Sequence, residues 1–132
     1  MIWLVLAVWF TDTGGYFFGR AIGGAKLAPR ISPNKTWAGL GGGILLATIW
    51  SGFWLTAVGE ESILLIVAAG ISVALLAQLG DLSVSAVKRR YGVKDASGLI
   101  PGHGGVLDRL DGMLLTAPAL AFVLLLSVRG WI

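Results

Sequence analysis

No charged side chain occurs from Thr36 to Gly59, from Ser62 to Gly80, or from Gly112 to Val128. An α-helix rises about 1.5 Å per residue, and roughly 20 apolar residues cross a hydrocarbon core of about 30 Å. These gaps are membrane-sized, and they set the fold class before any motif is consulted. The chain has 132 residues, 56% hydrophobic and only 13% charged, with a mean hydropathy of +0.84. That balance argues against a soluble globule and for an all-α, polytopic membrane helical bundle.

Four spans are predicted, at about 1–18, 37–58, 62–79 and 112–128. Met1 to Phe10 carries no basic leader, so a signal peptide is a weak reading; a helix running to about Phe18, with Asp12 near its membrane end, is the simpler one. Glu60 and Glu61 form a tight acidic turn, and Pro118 marks a kink in the last span. Arg20, Lys26, Arg30 and Lys35 fill the first connection, and a second basic group lies between Asp81 and Asp111. Basic residues concentrate in cytoplasmic loops, so both connections are expected in the cytoplasm, with both chain ends outside; Arg129 opposes this weakly.

Composition also narrows the chemistry. The net charge of +3 and pI near 9.7 come from ten basic residues in short segments between apolar spans. Membrane headgroups or phosphorylated substrates suit that arrangement, and nucleic acid does not. Without cysteine there is no disulfide or thiolate chemistry, and one histidine excludes a multi-histidine metal site.

The acidic residues carry the sharper signal. Asp81 follows the third span, while Asp108 and Asp111 precede the fourth, three residues apart and able to share a helix face. Three converging carboxylates would repel one another unless a hard divalent cation such as Mg2+ joined them and then held substrate phosphates. The alternative is that they only mark helix ends. Asp12 is either a boundary residue or part of an intramembrane polar path, and Asp95 beside Lys94 fits an exposed connection.

Basic residues complete a candidate polyphosphate site. Asp81, Ser85 and Arg89 recur every four residues along an amphipathic continuation of the third span, with Lys88 near the same face. Lys88, Arg89 and Arg90 could equally anchor the chain to anionic lipid. Arg109 lies between Asp108 and Asp111, where it can orient a carboxylate or contact a phosphate. Lys35 sits in Ser32-Pro33-Asn34-Lys35-Thr36, with Thr36 a fitting N-cap for the second span. Gly102, Gly104 and Gly105 surround His103; a phosphate-contacting loop and an ordinary tight turn both explain them. No Walker A element is present, and His103 has no catalytic-triad context. Magnesium-assisted transfer of a phosphorus-containing group fits these residues better than acyl-enzyme hydrolysis.

The run from Ser85 to Asp111, SAVKRRYGVKDASGLIPGHGGVLDRLD, closely resembles the signature of the CDP-diacylglycerol synthase family, the phosphatidate cytidylyltransferases. Asp12-Thr13-Gly14-Gly15-Tyr16, Gly19-Arg20 and Ser32-Pro33-Asn34-Lys35-Thr36-Trp37 resemble upstream family segments. The likeness extends over nearly the whole chain, as the C-terminal portion of such an enzyme's membrane domain. It departs from the family at Ala38, where an acidic residue is common.

The resemblance implies a bacterial inner-membrane enzyme whose site faces the cytoplasm and transfers a cytidylyl group from CTP to phosphatidate, with Mg2+ as cofactor. It implies Asp81, Asp108 and Asp111 as metal-site residues, and Lys88, Arg89 and Arg109 as phosphate contacts. Ser32, Lys35, Lys94, His103, Gly104 and Gly105 are candidate substrate-binding residues, with Asp12 and Asp95 in support. Expected partners are membrane lipids and a complementary N-terminal segment or a second copy. The alternatives are a CTP-dependent lipid kinase, another lipid nucleotidyltransferase, or a noncatalytic membrane fragment.

Overall fold

The computed structural model describes residues 2–90 and 113–128. The element order is α1 (Ile2–Ala21), β1 (Lys26–Ala28), β2 (Ser32–Thr36), α2 (Trp37–Ala57), α3 (Ile63–Arg90) and α4 (Met113–Val128). All four expected helices form, and between α1 and α2 lies a short antiparallel hairpin that the all-α expectation did not include.

The helix boundaries have local causes. Thr36 is extended, with φ −122° and ψ 158°, and its hydroxyl accepts a 3.0 Å hydrogen bond from the Gly39 amide. This is the expected N-cap, and it satisfies an amide that the first helical turn leaves unpaired. At the other end of α2, Gly59 takes φ +91°, a conformation open to glycine at little cost, and the Glu60 carboxylate accepts from the Ser62 amide at 2.9 Å. These contacts build the acidic turn into α3. Beyond α1, Gly23 and Gly24 take φ 66° and 90° and turn the chain into the hairpin. There Lys26 pairs with Thr36 and Ala28 with Ser32, with a register shift between the two pairs.

α1 and α2 pack through absent side chains. A Cβ on Gly39 would stand 2.7 Å from the Gly15 carbonyl oxygen, and one on Gly43 would stand 2.9 Å from that of Thr11. Such spacing lets the backbones approach closely, as in helix pairs embedded in lipid. The core is small: Leu4, Ala7, Val8, Val73 and Ala77 form its centre, and Trp3, Trp50, Met113, Ala117 and Leu120 pack around it. Trp50 also stacks on Phe10 at 5.2 Å and donates its indole N–H to the Trp3 carbonyl at 3.1 Å.

The outward surface is strongly apolar, with Trp9, Ile49, Phe53, Ile63, Leu64 and Phe122 all exposed. Apolar exposure on that scale suits lipid as the surrounding solvent. Two helices among the described residues, α2 and α3, are long and apolar enough to cross a membrane. α4 has 16 residues with Pro118 inside it. α3 runs 28 residues without a break, so Asp81 to Arg90 continue the third helix as a polar extension.

Candidate functional site

The polar end of α3, the middle of α1 and the hairpin meet around a cleft of about 390 Å³, lined by Asp12, Ser32, Asn34, Lys35, Gln78 and Asp81 among others. Its volume falls within the range of roughly 300–1,000 Å³ usual for small-molecule sites. Each element supplies its side chains for a local reason. The hairpin carries Lys35 back over the bundle because Thr36, one residue later, is tied to the start of α2 and the Trp37 amide donates to the Ala25 carbonyl at 3.1 Å. α3 presents Gln78 and Asp81 three residues apart, on one face. Gly15 and Gly39 also line the cleft, where the close approach of α1 and α2 forms its floor.

Lys35 is the electrostatic centre. Its ammonium forms an ion pair with Asp81 and donates a 2.7 Å hydrogen bond to Gln78 Oε1. The pair is partly shielded, with 18% of the lysine side chain and 35% of the aspartate side chain exposed. The Ser85 hydroxyl donates to the second Asp81 oxygen at 3.3 Å, one turn along the helix. Asp12 reaches the same cleft from α1 and is exposed there. The arrangement places two carboxylates, an ammonium and several neutral oxygens around one space, which can receive a cation together with an anion.

Of the candidates read from sequence, Asp12, Ser32, Lys35 and Asp81 come together in this cleft. Arg89 does not point along the Asp81 row; its Nε–H donates to the Ile31 carbonyl at the hairpin, 3.4 Å away. Lys88 lies half-buried in the same last turn of α3. Lys94, Asp95, His103, Gly104, Gly105, Asp108, Arg109 and Asp111 lie outside the described residues. Among the described residues, no group of three or more His, Cys, Asp or Glu side chains could hold a metal ion. Gln78 was not singled out from sequence; its available signal was an amide inside an otherwise apolar span, close to that span's charged end.

A bundle of apolar helices, two of which among the described residues are long and apolar enough to cross a membrane, with a polar cleft where α1, α3 and the hairpin meet, is the class that fold and site define. The chain belongs to the cytidylyltransferase family, whose pattern it matches over residues 1–127. It is 40% identical over 127 residues to a phosphatidate cytidylyltransferase of Haemophilus influenzae, covering 92% of this chain and 44% of that protein. It is 44% identical over 120 residues to the phosphatidate cytidylyltransferase of Brucella suis, covering 91% of this chain and 44% of the relative. Against that of Bacillus subtilis it is 43% identical over 122 residues, covering 92% of this chain and 45% of the relative. The chain thus spans about half the length of the curated relatives it matches.

Proposed function

We propose that this chain carries the catalytic half of a magnesium-dependent phosphatidate cytidylyltransferase, making CDP-diacylglycerol and pyrophosphate at the cytoplasmic face of a bacterial inner membrane. The observation that carries this reading is the meeting of Asp12, Ser32, Lys35 and Asp81 in one cleft, in a chain of the cytidylyltransferase family. The four residues come from three separate elements, so their convergence is a property of the fold and not of sequence proximity.

The donor set suits magnesium. Asp12 and Asp81 offer carboxylates, and Ser32, Asn34 and Gln78 offer neutral oxygens, all hard ligands of the kind this ion prefers. Asp81 and Asp12, together with Asp108 and Asp111, are the residues that would hold it. Bound there, the ion would offset the charge of the triphosphate and polarise its phosphorus–oxygen bonds.

The chain's own groups do the remaining work. A phosphate oxygen of phosphatidate attacks the α-phosphorus of CTP, and the bond from that phosphorus to the bridging oxygen breaks, releasing pyrophosphate. Lys35 supports the negative charge that builds on the phosphate oxygens, and Lys88, Arg89 and Arg109 serve as further triphosphate contacts, Arg89 through the guanidinium N–H groups left over from its hydrogen bond to the Ile31 carbonyl. Ser32 lines the cleft as a substrate-binding residue, and Lys94, His103, Gly104 and Gly105 join it in that role by the family resemblance alone. No protein nucleophile is needed, because the phosphate monoester already carries charge near neutral pH. The bilayer supplies orientation: acyl chains stay in lipid while the headgroup reaches the polar end of α3.

The test is product identity. A longer protein containing this chain, reconstituted in lipid with labelled CTP and phosphatidate, is expected to form CDP-diacylglycerol and pyrophosphate, and Asp81→Asn to abolish both. Formation of CDP and a newly phosphorylated lipid would replace this reading with a lipid kinase.

A further inference from the structure

Gln78 is a polar amide in a stretch, Ser62 to Gly80, whose one other polar side chain besides the terminal serine is Ser72. An amide taken out of water is costly unless it is hydrogen-bonded. Here its oxygen accepts from Lys35 at 2.7 Å, across 43 residues of sequence. Lysine has donors and no acceptor, so the contact fixes the amide's orientation, with Oε1 toward the ammonium. The nitrogen Nε2 then lies over α1, where a Cβ on Gly15 would stand 3.6 Å from it. Gln78 therefore touches the hairpin's lysine from α3 while resting against the glycine face of α1.

Asp81 holds the same ammonium by charge. These two acceptors differ in one decisive respect. A divalent cation that engages Asp81 takes away the carboxylate's attraction for Lys35 and adds a like-charge repulsion, whereas a neutral amide oxygen keeps its hydrogen bond. A lysine left without an acceptor would regain its rotamer freedom and swing toward water. With Gln78 in place, the ammonium still has donors to offer a further acceptor.

We propose that Gln78 is a positioning residue: its amide oxygen keeps the Lys35 ammonium inside the cleft, directed at the phosphates of a nucleoside triphosphate, when a divalent cation occupies Asp81. This rests on the nucleotidyl-transfer reading of the cleft. Lys35 thereby serves as the cleft's resident cation when empty and as a phosphate ligand when filled, and Gln78 spans the two states.

The experiment compares the parent with Gln78→Met, which keeps side-chain length without the oxygen, and Gln78→Glu, which keeps an acceptor. Each is reconstituted in lipid at matched helix content by circular dichroism. The acylation rate of Lys35 by a water-soluble amine-reactive ester is read by mass spectrometry with and without saturating magnesium, and CTP affinity is measured with magnesium present. Loss of a hydrogen bond to a charged group is worth about tenfold, so Gln78→Met should weaken CTP binding by about that factor and raise Lys35 acylation about fivefold, most strongly with magnesium. Gln78→Glu should retain the parent's slow acylation. Equal Lys35 acylation in the parent and Gln78→Met overturns the proposal. So does faster acylation shared by Gln78→Glu, since side-chain shape and not the acceptor would then matter. A parent that binds no CTP removes the nucleotide reading, while the acylation rates still decide whether Gln78 holds Lys35.

Discussion

At Lys35 two elements become one site, because a single ammonium bridges the hairpin to two positions on α3. Charge at this point is expected to matter more than shape. Asp81→Asn, Asp108→Asn and Asp111→Asn keep nearly the same side-chain volume but remove the charge proposed to hold a hard cation. Each should lower cytidylyl transfer by about a hundredfold or more while membrane insertion stays near the parent's, as transfer assays and membrane fractionation would measure. Near-parent turnover of all three at saturating magnesium would refute the acidic site. Neutralising Lys88 or Arg89 should raise the half-saturating CTP concentration by about tenfold, the scale of a charge-assisted hydrogen bond, with little change in protein yield. Unchanged CTP kinetics would leave these residues as lipid anchors. Asp12, Lys35 and Asp81 were legible in the sequence because a charge beside an apolar run needs an explanation. Gln78 was not, because an uncharged amide gives no such signal until its distant partner is placed next to it.

Elements were legible where hydrophobicity is long-ranged and illegible where it is not. The reading 37–58 for the second span matches Trp37–Ala57 because charge stops at both ends and Thr36 caps the start. The third span is bounded at 79 by hydropathy, but the four-residue spacing of Asp81, Ser85 and Arg89 already reads as its helical continuation, and the helix does run on to Arg90, since backbone hydrogen bonding continues after side chains turn polar. The hairpin escaped notice: β1 has three residues, too few to show alternation, and β2 contains Pro33, a residue depleted in strands. The α1–α2 contact yields a paired prediction. Gly39→Ala would place a Cβ 2.7 Å from the Gly15 carbonyl oxygen and should destabilise the bundle by about 1–3 kcal/mol, the usual cost of overpacking. Gly41→Ala has open space and should be neutral or stabilising by up to about 1 kcal/mol through helix propensity. Denaturation in detergent would rank the two; equal stability would mean that the helices do not touch there.

For the whole molecule, bundle formation and catalysis are expected to separate. The packed contacts among α1, α2, α3 and α4 give this chain a core of its own, and its backbone hydrogen bonds can be satisfied in lipid. On the proposed function, phosphatidate would need its headgroup held at the cleft and its acyl chains held in a groove, and the chain covers about half the length of its relatives. The isolated 132 residues should insert into membranes with less than about a hundredth of the turnover obtained after joining a matched upstream family segment, because a loosely supported site loses orders of magnitude in rate. CDP-diacylglycerol formation at equal folded protein measures this, with Asp111→Asn in the longer chain as control. Comparable activity from the short chain would show that the cleft is self-sufficient.

α3 also acts as a depth gauge. Its 28 residues rise about 42 Å, and the uncharged portion ending at Gly80 rises roughly 27 Å, close to the thickness of an ordinary hydrocarbon core. In a bilayer that α3 spans, Gln78 and Asp81 would therefore sit where acyl tails give way to headgroups, at a height set by the helix. Lipids with longer tails would draw that end of the cleft below the interface and penalise every charge in it, while shorter tails would lift it clear of the headgroups it has to meet. Turnover measured across phosphatidylcholines of increasing chain length should pass through a maximum, so that the thickness of the surrounding bilayer becomes a control on the reaction without any ligand being added.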